Sequence, residues 1–157
     1  MTSRVLVSLR VAASAERAFN VFVQEIDSWW QPDELFRLSR QSPGELAFEP
    51  KLGGRFTETS ADGAVFEIGR ITAWEPGSRL AFSWRQASFE PDQATHVEVR
   101  FEPVGAETRV TVEHSGWDTV PEDHVARHQF PDAIFLLRHA EWWQALLASM
   151  ARSMSAR

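Results

Sequence analysis

DAIFLLRHAEWWQALLASMARSM, Asp132 to Met154, decides how the rest of the chain must be arranged. It holds no proline or glycine, and Pro131–Asp132 makes a natural helix start. Leu136, Ala140, Trp143, Leu147 and Met150 recur at helical spacing. Phe135, Trp142 and Leu146 add a second apolar line beside the first, leaving Arg138, Glu141, Gln144, Ser149 and Arg152 as the polar side. At 1.5 Å per residue the helix would run roughly 30 Å, the width of a small domain. A helix with so wide an apolar stripe needs a broad surface to lie against. The middle of the chain is expected to supply it as a curved sheet.

Upstream, Val5, Val7, Leu9 and Val11 alternate with polar residues as a first strand. Ser14 caps a helix whose buried face is Ala18, Phe19, Phe22, Val23 and Ile26. A second short helix restarts at Asp27–Ser28 and runs through Trp29 and Trp30 toward Pro32. Arg37 to Gly44 reads as loop. Six strands follow between turn signals: Leu46–Pro50, Arg55–Ser60, Ala64–Trp74, Arg79–Gln86, His96–Glu102 and Thr108–His114. Leu80, Phe82 and Trp84 share one face of their strand, as do Val97, Val99 and Phe101 of theirs. Val110, Val112 and His114 do likewise. Such alternation means an antiparallel sheet with one dry and one wet face. The expected fold is α+β: a seven-stranded antiparallel curved sheet gripping a long C-terminal helix, with two short helices after strand 1, in one domain spanning residues 1–157. Val65, Phe66, Ile68 and Ile71 do not alternate cleanly, which suggests a bulge in Ala64–Trp74.

Composition narrows the function. The 157 residues carry a net charge of −6, which disfavours nucleic-acid binding. Cysteine is absent, so disulfides and thiol nucleophiles are excluded. No apolar run reaches the roughly 20 residues of a membrane span, and Met1 to Val11 lacks a signal-peptide core, so a cytoplasmic location and no membrane partner are expected. Seven tryptophans and eleven phenylalanines with no tyrosine imply a ring-rich core, some of which could line a cavity.

Several strings, in order, carry a resemblance: Phe48-Glu49-Pro50, Gly53-Gly54-Arg55-Phe56, Gly69-Arg70-Ile71, Trp74-Glu75-Pro76-Gly77-Ser78-Arg79-Leu80, Phe82-Ser83-Trp84, Val97-Glu98-Val99-Arg100-Phe101, Thr108-Arg109-Val110-Thr111-Val112 and His114-Ser115-Gly116-Trp117. Over nearly its whole length the chain resembles the helix-grip fold of START domains, the birch pollen allergen and polyketide cyclases. Within that group it is similar to bacterial proteins related to the C-terminal domain of the heat-shock-protein-90 ATPase activator. The fold so implied serves lipid carriers, cyclases, hydrolases and chaperone partners, so function must be argued from a site.

Trp29–Trp30 fall where the short helices would plug the sheet, as a core pair or as a pocket mouth. His114 lies on a dry strand face and His139 between the two apolar lines of the long helix. A histidine so placed is either a satisfied core group or a polar contact for a ligand. Arg70, on one face with Phe66, Ile68 and Thr72, is expected to point inward, where it would need a carboxylate or an anionic ligand. His124 and His128 have metal-compatible i, i+4 spacing, but no third ligand is evident and no metal is expected. The sequence holds no nucleophile elbow, phosphate loop or dinucleotide fingerprint; no catalytic residue is assigned and no cofactor expected.

The reading that results is a protein binding a small hydrophobic or aromatic molecule between sheet and terminal helix. Trp30 would stand at the mouth. Phe48, Phe56, Ile68, Phe82, Trp84, Val99 and Val112 would form the sheet wall, and Phe135 and Trp143 the helix wall. Arg70, His114 and His139 would orient the polar end. The alternatives are a chaperone-associated interaction module and a pocket enzyme of the cyclase or hydrolase type. A homodimer is compatible with the free sheet edges.

Overall fold

The structure, a computed structural model, describes residues 4–30, 44–85, 94–116 and 132–155, with the side chains of the last stretch described for 136–154. His124 and His128, residues 37–43 of the stretch read above as loop, and residues 86–93 lie outside these residues. So does the side chain of Phe135.

The elements are β1 (Arg4–Val11), α1 (Ala15–Gln24), α2 (Ile26–Trp29), β2 (Glu45–Phe48), β3 (Arg55–Thr59), β4 (Val65–Glu75), β5 (Arg79–Trp84), β6 (Thr95–Val104), β7 (Glu107–Ser115) and α3 (Asp132–Ser155). Sequence-adjacent strands from β2 to β7 pair in turn, and β1 adds to the far side of β7, giving a curled antiparallel sheet in the order β1-β7-β6-β5-β4-β3-β2. The expected fold is therefore present.

Local chemistry sets the boundaries. The Ser14 hydroxyl accepts from the Arg17 amide at 3.1 Å and caps α1, whose Ala18, Phe19, Phe22 and Val23 are buried. Ser14→Ala should remove about 1 kcal/mol of stability, readable as a lower urea midpoint at unchanged m-value. The second helix ends sooner than its sequence suggests. Trp30 is already extended (φ −65°, ψ 132°), which turns its indole toward Trp84, Trp142 and Trp143.

Strand β4 explains its own irregular pattern. Phe56 faces Gly69 while Thr57 faces Glu67, so Ile68 is an extra residue. Ile71 faces Phe82 while Ala73 faces Ala81, so Thr72 is another. Each bulge flips the side-chain phase. Ile68 and Ile71 can thus both be buried, and Arg70 is carried to the outer face. At the first bulge Gly69 lies against β5, where a β-carbon would stand 1.7 Å from the Ser83 carbonyl oxygen.

Helix α3 buries Trp142, Trp143, Leu146, Leu147, Met150 and Met154 and runs beside β1. The Ser149 hydroxyl donates to the Trp29 carbonyl at 2.7 Å, tying α3 to α2. Among the described residues no helix is long and apolar enough to cross a membrane.

Candidate functional site

Period-two alternation places Trp84 (β5), Thr95 (β6) and His114 (β7) on the inner face of adjacent strands. Helical spacing brings His139, Trp142 and Trp143 of α3 down onto them. All except Trp142, at 5% exposure, are fully buried.

Two fixed ends set the direction of the hydrogen bonds joining them. Trp143 Nε1–H can only donate, and it lies 3.2 Å from His114 Nδ1. The Trp84 carbonyl can only accept, and the Thr95 hydroxyl lies 3.0 Å from it. Thr95 therefore spends its proton on Trp84, and its oxygen accepts from His114 Nε2–H at 2.8 Å. His114 is then neutral, protonated on Nε2. Its Nδ1 also takes a bond from His139 at 3.0 Å, which requires the proton of that ring to be on Nε2.

Electrostatics agree with this assignment. Burial holds His139 at about 3, far below its ordinary 6.5. Burial, then the facing His139 and the nearby His96, push His114 well below the same value. A proton on His114 Nδ1 would confront the N–H groups of Trp143 and His139, so the arrangement requires the neutral pair.

Around this polar chain stands a wall of rings. Trp84 has its centroid 5.0 Å from His114, 5.9 Å from Trp30, 6.0 Å from Trp143 and 6.1 Å from Trp142. His139 lies 5.5 Å from Trp142. Phe48 stacks on Phe56 at 4.2 Å, and both meet Phe82 edge-on. Trp30 is half-buried and touches Phe56 as well, so it stands at the edge of the cluster next to the end of α2.

Of the residues expected at a site, His114, His139, Trp84 and Trp143 meet directly. Trp30, Phe56, Phe82 and Phe48 extend the wall. Ile68, Val99 and Val112 are buried in the same core. Arg70 does not join them. It is exposed and pairs with Glu67 at 3.2 Å, because the Ile68 bulge reverses its direction. The sequence reading overlooked Thr95 and Trp142. Counting back by two from Val99 and Val97 reaches Thr95, so the strand pattern held that signal one residue before the expected start of β6. A separate cleft of about 690 Å³ opens between α1–α2 and β2, lined by Val23, Ile26, Asp27, Leu46 and Phe48 among others; neither histidine borders it. Among the described residues no group of three or more histidine or acidic side chains could hold a metal.

Comparison with known proteins follows the fold. The sequence profile of the family described as "Activator of Hsp90 ATPase homolog 1-like protein" matches residues 12–154. No curated protein matches the sequence. A protein of Mesorhizobium loti has a similar structure at 18% identity and a TM-score of 0.69, covering 98% of this chain and 97% of its own. An HSP90 activator from Plasmodium falciparum is similar at 17% identity and a TM-score of 0.64, covering 98% and 96%. An anthrahydroquino-γ-pyrone synthase, solved as a complex, is 32% identical over 95% of each chain, with a TM-score of 0.57.

Proposed function

The chain belongs to the Activator of Hsp90 ATPase homolog 1-like family, and on that footing we propose that it binds a flat aromatic small molecule between the sheet and α3. The observation that carries this reading is the neutral His114–His139 pair set inside a wall of tryptophan rings. Indole faces bind flat apolar rings by area and stacking. The pair's hydrogen bonds are met by Trp143 and Thr95, so it fixes the surrounding rings in place without charge and leaves their faces to receive a flat ligand. The 32% identical protein described as an anthrahydroquino-γ-pyrone synthase supports the aromatic character of the ligand.

That relative also favours a second reading, in which the site acts on what it binds. Its contribution would be to hold the substrate in a reactive fold between the ring faces, because histidines kept so far below their ordinary value are poor proton acceptors.

Titration with three-ring aromatic ketones should quench the tryptophan fluorescence, with affinity in roughly the micromolar range. Trp30→Ala, at the half-buried ring, should leave the protein folded and weaken binding tenfold or more. A protein purified without any retained aromatic compound, and silent to such a panel, would sink the ligand reading. The chaperone-directed role suggested by the family would then be the one to pursue.

A further inference from the structure

Among the described residues, the hydrogen bonds of the buried chain run in one direction. Trp143 and His139 donate to His114, His114 donates to Thr95, and Thr95 donates to the Trp84 carbonyl. One strong donor at the same place is left over. Trp84 Nε1–H is fully buried and makes no hydrogen bond among the described residues. Among the described residues its ring neighbours are Trp30, Phe56, His114, Trp142 and Trp143.

A desolvated N–H without an acceptor is a standing cost that native cores generally avoid. An indole cannot relieve it by changing tautomer, since its nitrogen only donates. A phenylalanine at the same strand position would fill an apolar wall without this penalty. The orphan donor therefore implies an acceptor that arrives with something else. We propose that Trp84 Nε1–H is the polar anchor of the aromatic ligand and donates to a carbonyl oxygen on it. The site then takes aromatic ketones or quinones in preference to hydrocarbons of the same shape. This rests on the ligand-binding reading and adds the functional group that the ligand must carry.

Fluorenone and fluorene test it, because they share one flat frame and differ in a carbonyl. In ¹⁵N–¹H spectra of the wild-type protein, each tryptophan indole gives its own resonance, assigned by triple resonance without recourse to a variant. Fluorenone should move the Trp84 indole proton downfield, whereas fluorene should not. Trp84→Phe removes ring area for both compounds, so the diagnostic result is differential: fluorenone binding should weaken about tenfold more than fluorene binding, as loss of one neutral hydrogen bond allows. If both compounds bind and the Trp84 resonance responds to both alike, the anchor is wrong and the ligand reading stands. If neither compound disturbs any indole resonance, the ligand reading itself falls and takes the anchor with it.

Discussion

Gly69→Ala is expected to destabilise the protein by about 3 kcal/mol or more, enough to threaten folding at ordinary temperature. The added carbon would lie 1.7 Å from the Ser83 carbonyl oxygen and 2.5 Å from its carbonyl carbon. Both are backbone atoms of β5, so no side chain can rotate away. Relief requires β4 and β5 to part where the Arg70 amide donates to Ser83 Oγ at 2.9 Å and the Arg85 amide to the Ile68 carbonyl at 2.8 Å. Those bonds hold the bulge that buries Ile68 beside Gly69. Gly63→Ala is the control. Gly63 has φ +89° with nothing within 4 Å of the new carbon, so only backbone strain of about 1–2 kcal/mol is incurred. Urea unfolding of the two variants separates the cases. Equal losses would mean that the β4–β5 contact yields easily.

Acidification from pH 7 to pH 5 should lower the unfolding free energy by about 2 kcal/mol through His139 alone. In the unfolded chain this histidine binds a proton at its ordinary 6.5. In the folded protein burial prevents that until about 3. Between those values the unfolded state holds more protons, so the contribution is full above about 6.5 and is lost as pH falls toward 3. His114 is depressed by burial, by His139 and by His96, and it acts in the same direction. Glu49, lowered chiefly by the Arg55 backbone and side chain, starts from 4.5 and keeps its carboxylate charged in this window. His139→Leu preserves the Trp143–His114 bond and removes one titrating group, so its stability should change less between pH 7 and pH 5. An unchanged slope in that variant would refute the assignment.

The parts of this architecture that could be read from the chain are those governed by one unbroken period. Helix α3 repeats its apolar residues over 24 residues without a breaker, and it forms as expected. Strands β5 and β7 alternate strictly, so Trp84 and His114 could be placed on the inner face before any coordinates. Arg70 could not, because the extra residue Ile68 reverses the phase just before it, and the register that reveals this belongs to the neighbouring strand. The inward position of His139 followed from its place on the helix. Its bond to His114, 25 residues away in sequence, depends on how α3 is seated over the sheet, which no local pattern encodes. Proton direction along the chain needed both fixed ends, the Trp143 N–H and the Trp84 carbonyl, and these meet only in the folded protein.

The place of β1 in the sheet order has a consequence for how the protein is made. From β2 to β7 every neighbour is the next strand in sequence, so that part of the sheet can zip by short hairpins. β1 must instead find β7, with Arg4 and Glu113 109 residues apart. During translation the first strand would emerge about 5 to 20 s before its partner exists. Its alternating valines stay unpaired for that interval, and the sheet is completed by its least local contact. Such a topology raises contact order and slows folding relative to a simple meander. The newborn chain therefore carries an unpaired β1 until β7 is in place.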